Sequence, residues 1–178
     1  FNMSRNWQWY LNYPDNFSYE LLERKYLTNA HKIAGGLQYT IIDSVGYIYH
    51  ASFSRGFTLE NLDAVMTYMK GTKGLIVDVR NNGGGSETNA AEIAGRFTDN
   101  SIKYRYAKVK EGCEKNKLSD FKELVLDPIG PENFLEKVVL LTNKRTFSAG
   151  EDFTLMMTAL PNVTHIGDHT WGGFATGP

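Results

Sequence analysis

A single cysteine, Cys113, excludes an internal disulfide, and its Lys- and Glu-rich setting gives it no catalytic company. Neither charge dominates: 19 Lys and Arg stand against 20 Asp and Glu, which leaves no basic face for nucleic acid or an anionic membrane. The densest basic stretch, Lys108 to Lys117, is broken by Glu111 and Glu114 and reads as a solvated loop. No apolar run approaches the roughly 20 residues of a membrane span. Phe1-Asn2-Met3 does not open a signal peptide, and there is no repeat or low-complexity tract. The chain starts at Phe1 and stops within Ala175-Thr176-Gly177-Pro178, so it is expected to be a piece of a longer protein.

What is present is enough for one domain: 178 residues, 42% of them hydrophobic. Residues 1–36 read as an aromatic lead-in (Trp7, Trp9, Tyr10, Tyr13) that packs on the core or on an absent N-terminal domain, with a short helix at Tyr19 to Tyr26. From residue 37 the pattern alternates strand and helix. Leu37 to Ile42 and Val45 to Phe53 are strands around an Asp43-Ser44 turn. Thr58 caps a helix with Leu59, Leu62, Val65, Met66 and Met69 on one face, closed by Gly71. Leu75 to Val79 is a continuously apolar strand, and Ser86 to Phe97 a helix. Ile102 to Val109 and Phe121 to Leu126 are further strands, Lys137 to Leu141 another, and Ser148 to Leu160 a helix stopped by Pro161. Val163 to Ile166 ends the series. The alternation predicts an α/β domain with a largely parallel sheet.

Two turns carry the chemistry. Asp78-Val79-Arg80-Asn81-Asn82-Gly83-Gly84-Gly85-Ser86 follows one apolar strand and opens a helix. Thr142-Asn143-Lys144-Arg145-Thr146-Phe147-Ser148-Ala149-Gly150-Glu151 does the same after another. Glycines let backbone N–H groups approach a ligand with no Cβ in the way. A serine at a helix mouth offers a hydroxyl beside N–H groups that point the same way, as acyl transfer requires. A structural reading competes: Ser148-Ala149-Gly150-Glu151 is also a capping box, with Glu151 a helix-start carboxylate.

These two segments, with Gly167-Asp168-His169-Thr170-Trp171-Gly172-Gly173 after them, resemble the S41 peptidase family of C-terminal processing and tricorn-core-like proteases. The likeness runs from about Val45 onward, and the order of the motifs makes it specific. It implies the ClpP/crotonase-like superhelix of β-β-α units over residues 37–178. It implies Ser148 as nucleophile, with an oxyanion hole from the N–H of Ala149 and one of Gly83, Gly84 or Gly85. Ser-Lys members of the family carry a lysine base where this chain has Gly172-Gly173. The resemblance is therefore to the tricorn-like branch, whose histidine base and supporting carboxylate come from segments outside these residues. It further implies a peptide or protein substrate, no cofactor, and export from a bacterial cell. A catalytically silent binding module on the same scaffold is the alternative.

Other readings are weaker. Gly83-Gly84-Gly85 lacks the Gly-Lys-Ser/Thr of a Walker loop, and Thr146-Phe147-Ser148-Ala149-Gly150 lacks the first glycine of a nucleophile elbow. His165 and His169 flank Asp168, but across a strand end and a glycine turn that spacing does not bring two rings together, so no metal site is expected. His169 is the in-chain candidate for a base. His31 and His50 read as ordinary helix-end and strand residues. Asp78 and Arg80 are expected to hold the glycine turn rather than to react. Asn2, Asn16 and Asn162 begin Asn-x-Ser/Thr triplets of the kind an Asn-rich chain produces by chance.

Overall fold

A computed structural model describes residues 16–33, 36–54, 56–114 and 117–173. Most of the aromatic lead-in, residues 1–15, lies outside them. Chain order begins α1 (Tyr19–Tyr26), β1 (His31–Ile33), β2 (Leu37–Ile42), β3 (Val45–His50), α2 (Leu59–Met69), β4 (Leu75–Asp78) and α3 (Glu87–Ala94). A 3-10 turn (Gly95–Phe97) follows, then β5 (Ile102–Ala107), β6 (Lys122–Leu126), β7 (Val138–Thr142), α4 (Ala149–Thr158) and β8 (Val163–Gly167).

Six strands form one sheet in the order β1-β2-β3-β4-β7-β8. The first three are antiparallel neighbours. From β3 onward every pairing is parallel, with Leu75 beside Val138 and Asp78 beside Leu141. The two motif-bearing strands are thus adjacent and end on the same edge of the sheet, where ligands of open α/β sheets bind. β5 and β6 stand apart as a two-stranded antiparallel sheet.

Local chemistry sets the helix starts. Thr58 and Asn61 form a reciprocal capping box on α2, and Ser86 Oγ accepts from Asn89 N at 3.3 Å on α3. One face of the sheet packs Ile48, Leu75, Val77 and Leu140 against Leu62, Met66, Ile93, Phe153 and Met157 of the helices. The other face carries Tyr47 and Tyr49 under Phe17, Leu22 and Leu27. Burial on both faces explains why β4 is unbroken apolar sequence up to Asp78.

Several boundaries differ from expectation. The strand predicted to reach Phe53 ends at His50, leaving Phe53 in an isolated bridge to Gly85. The helix predicted to reach Phe97 tightens into the 3-10 turn from Gly95, and the strand predicted to reach Val109 ends at Ala107. His31 begins β1 instead of ending a helix, its ring stacked 5.1 Å from Tyr39.

Arg96 is fully buried in the 3-10 turn. It pairs with Asp63 and donates to Leu59 O at 3.3 Å. Gly130 lies on the guanidinium so closely that a Cβ there would sit 1.7 Å from Arg96 Nη1. Replacing Arg96 with alanine strands Asp63 and opens a void, and is expected to lower unfolding free energy by about 3 kcal/mol. Urea denaturation of the variant checks this; an unchanged midpoint would contradict it.

Candidate active site

Asp78, at the end of β4, is fully buried and holds the turn that follows. Tyr47 Oη donates to Asp78 Oδ2 at 2.5 Å, and Arg80 reaches the same carboxylate through its backbone N (3.0 Å), Nε (2.9 Å) and Nη2 (2.5 Å). Burial, reinforced by the Asp78 charge, pushes the Tyr47 hydroxyl far above its usual range and keeps it a donor. Asp78 and Arg80 thus satisfy one another, as a supporting pair does. Asn81 turns the chain in the left-handed region at φ 59°.

Asn82, buried beneath the glycines, clamps three segments together. Its Oδ1 accepts from Gly84 N at 2.8 Å, its Nδ2 donates to His50 O at 2.8 Å, and its carbonyl accepts from Phe147 N at 2.9 Å. Asn143 and Thr146 answer from the second turn. Asn143 Oδ1 accepts from Asn81 N at 2.9 Å, Asn143 Nδ2 donates to Asn81 Oδ1 at 2.7 Å, and Thr146 Oγ1 donates to Val79 O at 2.8 Å. The carbonyl of Gly84 accepts from Phe53 N (2.8 Å) and Ser52 Oγ (3.1 Å). Sequence reasoning missed Asn82, Asn143 and Thr146; only their position beside the motif turns could have flagged them.

The structure brings Gly84, Ser148 and Ala149 into contact. At φ 88°, Gly84 packs so tightly that a Cβ would lie 2.6 Å from Ser148 Cβ, 2.7 Å from Phe147 O and 2.9 Å from Ala149 N. Only glycine fits there. Ser148 itself holds φ 56°, ψ −121°, a strained conformation for a residue with a Cβ. It is half-buried, and its hydroxyl finds no hydrogen-bond partner among the described residues. The N–H of Ala149 likewise has no acceptor among them, nor do those of exposed Gly83 and Gly85. The Gly84 N–H is already engaged by Asn82.

The capping-box reading does not hold. Ser148 makes no side-chain cap, and its backbone is wrong for one. Glu151 turns away from the helix start and accepts from Gly172 N at 2.7 Å, Gly173 N at 3.3 Å and the Thr170 hydroxyl. It pins the downstream turn against the first turn of α4. Asp152 beside it is buried, which raises its pKa, and it faces Arg105 Nε at 3.2 Å and Tyr104 Oη at 3.4 Å from the β5–β6 hairpin.

His169 is not brought to Ser148. Its side chain is 70% exposed, and its Nε2 lies 2.9 Å from Lys144 Nζ. His165 is engaged elsewhere, Nε2 to Thr142 Oγ1 at 2.6 Å, so the two rings serve different partners. Among the described residues no group of three or more His, Cys, Asp or Glu side chains is placed to hold a metal. His50, far from being an ordinary strand residue, is buried with neither ring nitrogen hydrogen-bonded, edge-on to Phe53 at 4.8 Å. Burial lowers its pKa to about 4.

Residues 44–177 match the family model of peptidase family S41, three-quarters of the chain and both motif turns. The chain belongs to peptidase family S41. A Parabacteroides merdae protein assigned as a peptidase is 40% identical, with a TM-score of 0.85 over 94% of this chain and 54% of that one. The carboxy-terminal processing protease CtpA of Bacillus subtilis (strain 168) is 29% identical over 131 residues, 73% of this chain and 26% of that protein. The photosystem II D1 C-terminal processing protease shares the fold at 22% identity, TM-score 0.57, over 81% of this chain and 34% of that one. The chain therefore spans about half the length of the first relative and about a quarter of the second. The mixed α/β architecture with its mostly parallel sheet is the S41 protease fold, and S41 membership makes this a peptidase-family domain.

Proposed function

We propose that the whole protein is a serine endopeptidase that cleaves C-terminal or unfolded peptide segments through an acyl-enzyme on Ser148. The observation that carries this reading is the strained, unpartnered Ser148 pressed against Gly84 at the mouth of α4. Strain at a single half-buried serine with an unpartnered hydroxyl is the mark of a residue held for chemistry rather than for capping. Ser148 Oγ attacks the scissile carbonyl. The oxyanion is met by the N–H of Ala149 and by that of Gly83 or Gly85, Gly84 being occupied, with the positive end of α4 behind them. Gly172-Gly173, standing where Ser-Lys members of the family carry lysine, supports a histidine base and an orienting carboxylate supplied by parts of the protein outside these residues.

Two outcomes follow. In the full-length protein, Ser148→Ala is expected to lower kcat on a peptide substrate by a factor on the order of 10⁶, with substrate binding retained. The isolated 178-residue chain is expected to turn over little peptide, because no histidine or lysine hydrogen-bonds Ser148 among its described residues. Peptidase assays of both forms check this; near-normal turnover by the isolated chain would place a base within it. That same missing base favours a second reading, a silent binding module, which gains if full-length wild type binds peptides and never cleaves them. Among the described residues no helix is long and apolar enough to cross a membrane. Export, proposed from the family, is tested by fractionating the native cell.

A further inference from the structure

Resting on the peptidase reading, we infer that the β5–β6 hairpin is a docking surface for the substrate chain, selecting segments that combine apolar and acidic residues. Three observations converge on it. First, the described residues 102–114 and 117–126 hold six Lys or Arg against four Asp or Glu, whereas the whole chain has 19 against 20. The hairpin is thus a basic island on an otherwise acidic domain.

Second, exposed apolar side chains concentrate there. Tyr106 is 57% exposed, Phe121 68%, Leu118 55% and Val125 46%. The Tyr106 and Phe121 rings meet edge to face at 6.2 Å. Lys108 Nζ stands 4.2 Å above Phe121, and Lys103 Nζ, paired with Glu123, 5.4 Å above Tyr106. Aromatic faces bordered by ammonium groups suit a ligand that offers both apolar side chains and carboxylates.

Third, the hairpin is anchored to the candidate site and open along its edges. Arg105 and Tyr104 hold Asp152, one turn along α4 from Ser148. Among the described residues neither outer edge of the two-stranded sheet pairs with a third strand. A free edge accepts an extended peptide by main-chain hydrogen bonds, with alternate side chains reaching the sheet face.

The test uses the full-length protein in a Ser148→Ala background, so that bound peptide is not consumed. Two fluorescein-labelled ten-residue peptides share Leu, Val and Ala at alternate positions and carry Asp or Lys at the others. Fluorescence anisotropy is expected to give about tenfold tighter binding of the Asp peptide, a preference that salt weakens. Lys103→Ser with Lys108→Ser is expected to erase the preference, and Tyr106→Ser with Phe121→Ser to weaken both peptides. Equal binding of the two peptides, or hairpin variants that bind like the parent, would overturn the proposal. So would hairpin variants that change only melting temperature or oligomeric state, since the face would then be covered by another part of the chain or a second copy. Reaction of Ser148 with a small fluorophosphonate, measured in the same hairpin variants with Ser148 intact, is expected to be unchanged. That readout tests the nucleophile separately, so loss of one claim does not pass for loss of the other.

Discussion

Gly84→Ala is expected to reduce peptidase activity of the full-length protein by a factor of about 10² to 10³ while leaving most of it folded. A methyl group there must occupy space now held by Ser148 Cβ, Phe147 O and Ala149 N, all within 2.9 Å of its ideal position. Those atoms belong to the second motif turn and to Ser148, so relief of the overlap moves the hydroxyl and the Ala149 N–H that the proposed mechanism uses. The backbone cost is separate: φ 88° disfavours any residue with a Cβ by roughly 1–2 kcal/mol. Gly83→Ala is the matched control. A Cβ at Gly83 meets nothing within 4 Å, its φ is not in the left-handed region, and its N–H survives the substitution. That variant is expected to keep near-wild-type stability and to lose far less activity than Gly84→Ala. Equal losses in the two variants would show that turn flexibility, not contact with Ser148, is what matters.

Acid is expected to unfold the site through His50. Its imidazole is buried against Phe53 and Phe57 with no partner for either nitrogen, and burial holds its pKa near 4. In the unfolded chain the same group titrates near 6.5. Between those values the unfolded state binds more proton, so stability is full above pH 6.5 and falls as pH drops toward 4, by about 3 kcal/mol in all. His50 O holds Asn82, and Phe53 N holds Gly84 O, so loss of this strand end takes the glycine turn with it. His50→Leu keeps the apolar packing and removes the titration. Urea denaturation at pH 7.5, 5.5 and 4.5 is expected to show a wild-type slope that the variant largely lacks. Parallel slopes would assign acid sensitivity to other groups.

Much of this was readable from residue order, and the exceptions have physical causes. β4 and β7 were legible as continuously apolar runs, and α2 as an apolar stripe between Thr58 and Gly71, because local periodicity and capping fix them. β1 was not: His31-Lys32-Ile33 is three residues long and mostly exposed, and only pairing with β2 makes it a strand. The separate sheet of β5 and β6 is likewise a fact of long-range pairing, invisible in either strand alone. Ser148-Ala149-Gly150-Glu151 matches a capping box letter for letter. Yet Glu151 spends its carboxylate on Thr170, Gly172 and Gly173, some twenty residues away, and local logic has no access to that choice. His50 and Asn82 show the same limit. Their identities were plain, but burial without a partner in one case and a three-way clamp in the other arise only from the assembled sheet.

Whether Ser148 is the nucleophile can be read most directly by treating the full-length protein with a fluorophosphonate probe and locating the adduct by mass spectrometry. One covalent adduct on Ser148, absent from Ser148→Ala and formed far more slowly in Gly84→Ala than in Gly83→Ala, is the expected result. An intact, folded wild-type protein that takes up no probe, or takes it up at another residue, would contradict an acyl-enzyme on Ser148 and leave the domain as a binding module.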